Sequence, residues 1–319
     1  MRKNEGALVT GVAGFIGSHL AEELLHRGYS VVGIDCFTDY YPREIKETNL
    51  ANLMVNENFK FITADLLDVN FKDLNVDYIF HMAAQPGVRA SWGKSFQVYV
   101  KDNILVTQKL LEDFLDSEIK KFVFASSSSV YGDVAELPIR EDALPKPISP
   151  YGVTKLAAEN LCYLYWKNYG IPIVSLRYFT VYGPRQRPDM AIHKFVKAML
   201  EDKEIVIYGD GNQTRDFTYI SDAVEGTILA AKSNLEGEVF NIGGGSRTSV
   251  NQIIDILEEI LKKKARRKYV ESQKGDVGHT LASIEKATRL LGYKPRVSIE
   301  EGLKRYVEWL LFHTSLHKT

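Results

Sequence analysis

The sequence predicts an α/β protein built on a doubly wound parallel sheet, and three observations carry that expectation. Short apolar runs alternate with stretches of helical periodicity through residues 1–177, the pattern of strands joined by crossover helices. The first such unit holds a glycine-rich turn and closes on an acidic residue. A run of four serines ends a later strand, at the edge where open parallel sheets bind ligands.

Residues 7–10 read as a buried strand. Gly11-Val12-Ala13-Gly14-Phe15-Ile16-Gly17 is a turn into a helix over 16–26 that Gly28 ends, and 29–34 is a second strand closing on Asp35. Glycines spaced G-x-x-G-x-x-G let a pyrophosphate approach the backbone at a helix N-terminus. Gly11, Gly14, Phe15, Ile16 and Gly17 are therefore candidate cofactor contacts. Asp35, about 20 residues on, is placed to accept bonds from a ribose diol. It would repel a 2'-phosphate, and no Arg follows at once, so NAD is favoured over NADP.

A third strand, 59–63, leads to Asp65-Leu66. Asp65 either bonds an adenine amino group or caps the next turn, and Leu66 lies beside it as a further cofactor candidate. A fourth strand, 78–80, runs into Ala83 and Ala84, small enough for a cofactor to lie close to the backbone, and then to Arg89, either an anion contact or a surface charge. A long helix over 99–116 carries Asn103, also a cofactor candidate. A fifth strand, 121–125, ends in Ser126-Ser127-Ser128-Ser129, and a proline-containing loop leads to a helix running to about residue 169 and a sixth strand over 171–176.

After Arg177 the pattern changes. Residues 178–189 are loop-like, and 191–201 helical, with a strand at 205–208. A helix over 222–232 and a strand at 239–242 look like returns to the first sheet. A helix over 250–263, a strand near Tyr269 and two closing helices complete the chain. The expected division is a cofactor-binding domain of residues 1–177 plus about 216–242, with a smaller, discontinuous α/β substrate domain of 178–215 and 243–319.

A net charge of −1 gives no field for nucleic acid or a membrane surface. The basic run Lys262-Lys263-Lys264-Ala265-Arg266-Arg267-Lys268 reads as a solvated helix end, without the interleaved aromatics of a nucleic-acid site. Two cysteines and seven unclustered histidines offer neither a disulfide framework nor a metal site. With no apolar leader and no run long enough to span a bilayer, a cytoplasmic protein with reduced thiols is expected.

The chemistry centres on Ser149-Pro150-Tyr151-Gly152-Val153-Thr154-Lys155. Ser149 suits an N-cap and Pro150 the first helical position. Tyr151 and Lys155 then share a helix face. A free phenol has a pKa of about 10, and a nearby cation with the helix dipole would favour its ionised form. Such a phenolate can take a proton from a sugar hydroxyl. The plainer alternative is an amphipathic helix with one exposed lysine.

The glycine turn, Asp35, Ser127, Tyr151 and Lys155 together resemble the extended short-chain dehydrogenase/reductase family, and more narrowly its NAD-dependent nucleotide-sugar 4-epimerases, over essentially the whole chain. The resemblance implies a Rossmann fold, Tyr151 as general base, Lys155 lowering its pKa and gripping the nicotinamide ribose, and Ser127 bonding the sugar 4-hydroxyl. It also implies that NAD is regenerated each turnover. A homodimer through the 99–116 helix and the Tyr151 helix follows from the same likeness.

Two features bear on the sugar. Dehydratases of this family carry Asp-Glu where this chain has Ser128-Ser129, and decarboxylases carry Glu at the second position, so neither acid-assisted exit has its residue here. The loop Gly183-Pro184-Arg185-Gln186-Arg187-Pro188-Asp189-Met190-Ala191 is similar to that of UDP-glucuronate 4-epimerases. Arg187 can pair bidentately with a C6 carboxylate; its alternative is an ion pair with Asp189. A 4-keto uronate is a β-keto acid and loses carbon dioxide readily. A fixed cage of Arg187, Ser128, Ser129 and Thr180 would restrain it, and Arg185 stands in the same loop as a further candidate. For the UDP end, the resemblance points to Lys194, Arg215 and the segment around Lys274. The family's second phosphate arginine falls at Gln273 and is missing. UDP-glucose and its N-acetyl relative are the alternative substrates.

Overall fold

The structure, a computed structural model, describes residues 4–316, with side chains through residue 313. The outer ends of the expected domains, residues 1–3 and 317–319, lie outside the described residues. The chain opens with β1 (Gly6–Thr10), α1 (Phe15–His26), β2 (Ser30–Asp35), α2 (Arg43–Met54), β3 (Phe59–Thr63) and β4 (Tyr78–His81). There follow α3 (Phe96–Tyr99), α4 (Val106–Asp113), β5 (Lys121–Ser127), α5 (Pro150–Tyr169) and β6 (Ile173–Tyr178). The remainder holds β7 (Thr180–Tyr182), α6 (Ala191–Leu200), β8 (Glu204–Tyr208), β9 (Thr214–Tyr219), α7 (Ile220–Lys232) and β10 (Glu238–Ile242). It ends with β11 (Arg247–Ser249), α8 (Val250–Leu261), β12 (Arg266–Val270), α9 (Glu285–Leu291) and α10 (Ile299–Leu316).

Seven parallel strands form the main sheet in the order β10-β6-β5-β4-β1-β2-β3, the doubly wound arrangement expected. Strand alternation sorts its residues to two faces. Ala7, Val9, Val123 and Ala125 join one apolar core, while Leu8, Phe122 and Phe124 join the other. Helices α1 and α7 contribute to the first core, and α4 and α5 to the second. The order reverses between β1 and β4, which opens a crevice at the carboxyl ends of those strands.

The chain leaves this sheet after β6 and returns to it at β10. Between and beyond, β7, β9 and β11 form a small sheet, and β8 pairs with β12. Because β9 belongs to the small sheet, the return begins with α7 at Ile220 rather than near residue 216.

Two expectations are corrected, and one element is added. A helix, α2, occupies the segment between β2 and β3, for which the sequence predicts no element. The expected 99–116 helix is instead helical over Phe96–Asp113, with a π stretch at Val100–Leu105 between α3 and α4. The basic run 262–268 is a helix end only at Lys262; Arg266–Val270 is β12, where Arg267 pairs with Asp255 at 2.5 Å and Glu258 at 3.0 Å.

Candidate active site

The glycine turn sits at the crevice. Gly11 has φ +67°, and a Cβ there would lie 2.8 Å from the Ala83 backbone, so the turn and the β4 loop pack without side chains between them. Helix α1 begins at Phe15 with Gly14 as an N-cap that brings no side-chain acceptor. Its first N–H groups are left for a ligand, with the dipole favouring an anion. Asp35 ends β2. Its carboxylate accepts from the Ala13 N–H at 3.1 Å and the Phe37 N–H at 2.8 Å. Burial raises its pKa, against those bonds and the nearby Lys46 charge. Gly11, Gly14, Phe15, Ile16, Gly17, Asp35, Asp65, Leu66, Ala83 and Ala84 all line one cleft. A cradle without side chains, an uncapped helix terminus and a carboxylate at the strand end suit a dinucleotide.

Asp65 does two things. It caps its own turn, accepting from the Leu67 N–H at 3.0 Å, and pairs with Lys101 at 2.6 Å. Asn103 departs from expectation. It is buried in the π stretch; its Oδ1 accepts from the Gln85 N–H at 2.7 Å, and its Nδ2 donates to Thr154 Oγ1 at 3.0 Å. It braces the β4 loop against α5 and does not line the cleft.

The catalytic candidates meet where α5 begins. Ser149 Oγ accepts from the Gly152 N–H at 3.1 Å, and Pro150 is the first helical residue, as the sequence predicts. A Cβ on Gly152 would stand 2.5 Å from the Ser129 carbonyl oxygen, so glycine lets the Tyr151 turn rest directly on the serine turn. Among the serines, Ser126 donates to the buried Glu159 at 2.6 Å, and Glu159 is paired with Arg177. Ser127 Oγ accepts from the Ser129 N–H at 3.1 Å, and Ser127, Ser128, Ser129, Tyr151 and Lys155 line the cleft.

Electrostatics at Tyr151 differ from the expectation. Burial raises its pKa, opposed by a hydrogen bond with Ser127 and by the charge of Arg187. The Lys155 ammonium donates to the Ala125 carbonyl at 2.6 Å, and burial pulls its pKa down to about 8.

The far wall comes from the small sheet and the loop after β7. Thr180 lines the cleft, as does Arg187. Arg187 faces the cleft, and of its two alternatives the structure shows the pair with Asp189, Nε to Oδ1 at 2.9 Å and Nη2 to Oδ2 at 3.1 Å. Arg185 is corrected. Its backbone is left-handed at φ 63°, and its guanidinium pairs with Glu22 on α1 at 2.7 Å, which ties the loop to α1.

At the outer end Arg89 pairs with Asp276 at 2.6 Å and lies over the Tyr208 ring at 4.1 Å. Arg215, on β9, donates to the Thr214 and Gly278 carbonyls at 2.9 and 3.1 Å. Burial lowers its pKa, with Asp276 opposing and Arg89 reinforcing, so the three charges form one cluster. Lys194 and Lys274 are exposed and, like Arg89 and Arg215, do not line that cleft.

The family model "NAD dependent epimerase/dehydratase family" matches residues 7–243, most of the chain. The chain belongs to this family. A crystal structure of the UDP-glucuronic acid 4-epimerase of Bacillus cereus, in complex with UDP-glucuronic acid and NAD, is 50% identical, with a TM-score of 0.94 over 97% of this chain and 99% of that one. The UDP-glucuronate 4-epimerase of Thermodesulfobacterium geofontis is 48% identical over 309 residues, 95% of each chain. An uncharacterized UDP-glucose epimerase of Bacillus subtilis is 48% identical over 307 residues, 95% of this chain and 97% of that one.

For a member of the epimerase/dehydratase family, the sequence reading missed several cleft residues. Thr38, Tyr40, Tyr41 and Lys46 come from the segment opening α2 and line the cleft. Lys46 Nζ donates to the Thr38 carbonyl at 2.8 Å, and Tyr40 Oη donates to Asp189 at 3.2 Å. The available signal was the pair Tyr40-Tyr41 before Pro42 and a helical run with Lys46, Leu50 and Leu53 on one face.

Proposed function

We infer that the protein interconverts UDP-glucuronate and UDP-galacturonate by NAD-dependent 4-epimerisation. The observation that carries this reading is the Arg187 guanidinium facing the same cleft as Tyr151 and Ser127, with hydroxyls at Ser128, Ser129 and Thr180 and no acid at either serine. NAD, when bound, supplies the acceptor and donor of the hydride at C4. Gly11, Gly14, Phe15, Ile16, Gly17, Asp35, Asp65, Leu66, Ala83 and Ala84 would hold it, with Lys155 at the nicotinamide ribose. Tyr151 takes the proton from O4 on oxidation and returns it on reduction, and Ser127 orients that hydroxyl. Arg187 pairs with the C6 carboxylate. Arg215, with Arg89 beside it, faces the diphosphate.

The division of labour follows the sheets: the main sheet, with α7 and β10, takes the cofactor, and the small sheet with the C-terminal segments takes the nucleotide sugar. A cytoplasmic location belongs to the same reading and is checked by cell fractionation. So does a homodimer through the α3–α4 stretch and α5.

A neutral-sugar epimerase is the second reading, favoured by the Bacillus subtilis relative and by the internal partner of Arg187. Turnover of UDP-glucuronate and UDP-glucose by Arg187→Ala separates the two. The uronate reading predicts a fall of at least about 100-fold in kcat/KM for UDP-glucuronate, about 3 kcal/mol, and little change for UDP-glucose. A selective loss of UDP-glucose turnover would reverse the choice.

A further inference from the structure

Arg187 reaches the cleft already held by a carboxylate. Asp189, two residues on, takes Nε and Nη2 side-on at 2.9 and 3.1 Å, so Nη1 is not engaged by that pair. Tyr40, from the other wall, donates its hydroxyl to Asp189 Oδ2 at 3.2 Å and places its ring 5.9 Å from the guanidinium carbon. Burial works to raise the Asp189 carboxyl, but the Arg187 charge and its hydrogen bonds keep it below its ordinary value, so the pair stays ionised. A planar cation gripped along one edge has little freedom to turn.

We propose that Asp189, steadied by Tyr40, is a positioning residue that fixes the aspect of Arg187 and thereby keeps the oxidised uronate from losing carbon dioxide. The inference rests on the uronate reading above. In a 4-keto uronate the C5–C6 bond breaks when it aligns with the carbonyl π system. Carbon dioxide then departs, the bonding electron pair enters the C4–C5 unit as an enolate, and C5 takes a proton from water to give the 4-keto pentose. A guanidinium held at a fixed angle opposes this in two ways. It fixes C6 near the plane of the carbonyl, and it stabilises the anionic carboxylate that would be lost as a neutral gas. A guanidinium free to turn does neither well. The serine positions carry no acid to assist the loss, and among the cage residues Ser128, Ser129, Thr180 and Arg187 only Arg187 carries a charge to hold the carboxylate.

The test is the product partition, the ratio of decarboxylated to epimerised sugar formed from UDP-glucuronate, followed by NMR. A ratio is independent of how much active enzyme each preparation contains. Asp189→Asn is expected to raise the decarboxylated share about tenfold or more over wild type, and Asp189→Glu to return it toward the wild-type value. Should Asp189→Asn be inactive, Tyr40→Phe is expected to raise the share in the same direction by a smaller factor. An unchanged partition in Asp189→Asn, or in Tyr40→Phe where the former is inactive, overturns the proposal. Wild-type protein that forms no UDP-galacturonate sinks the uronate reading instead, so the two failures are told apart.

Discussion

Burial raises the pKa of the Tyr151 phenol, which makes it a reluctant base for the proposed reaction, and its two counterweights are Ser127 and Arg187. Proton abstraction needs the phenolate, whose share grows as pH rises toward the phenol's raised pKa. Activity therefore climbs along an ascending limb as pH increases. Removing the Ser127 bond lifts that pKa further, so Ser127→Ala should shift the limb to higher pH and lower kcat by about 100-fold. A pH profile of kcat/KM checks this, and a limb left in place would refute the role. Lys155 enters differently from what the i, i+4 spacing suggests. Its ammonium is held by the Ala125 carbonyl, and with a pKa of about 8 it is still largely protonated near neutrality. The spacing puts Tyr151 and Lys155 in one cleft, yet the hydrogen bond that fixes the lysine runs to a strand, which no helical periodicity can reveal. Arg185 and Arg187 show the same limit. They are two apart in one loop, and only the left-handed backbone at Arg185 sends it to Glu22 while Arg187 faces the cleft.

At the scale of elements, α5 joins the reaction to the surface. One side buries Thr154, Lys155 and Glu159, while Val153 and Leu164 are exposed at 46% and 47%. Val98 and Leu105, from the neighbouring helical stretch, are exposed at 45% and 49%. Large apolar side chains gathered on two adjacent helices suit an isologous partner surface. Val153→Glu with Leu164→Glu is expected to convert a dimer to monomers in light scattering, and wild-type protein that is already monomeric would remove the dimer from the account. The capping of α5 was readable because Ser149 and Pro150 act locally. The π stretch at Val100–Leu105 was not: its extra residue aims Asn103 at Gln85 and Thr154, a tertiary purpose without a local signature. Helix α2 was hidden for a related reason. It is polar on most of its surface, and its role is to bring Lys46, behind Tyr40 and Tyr41, to the cleft.

For the whole molecule, the strand order decides where chemistry happens. The reversal between β1 and β4 opens the crevice, and the small sheet brings Thr180, on β7, to its wall. The alternation of short apolar runs with helical stretches made the main sheet legible, including the return of β10 at its edge, because its central strands are buried on both faces and read as continuous runs. The outer nucleotide end was less so: Lys194, Arg215 and Lys274 were placed there by likeness alone, and none of them lines the cleft that holds Tyr151. The central claim is that this one cleft oxidises a uronate at C4 and returns the hydride to the other face without losing C6. Its most direct test is to mix purified protein with UDP-glucuronate, without added NAD, and follow the C4 configuration by NMR. The account predicts accumulation of UDP-galacturonate to an equilibrium reached from either side. No UDP-galacturonate, or a product that is mainly pentose, would contradict it.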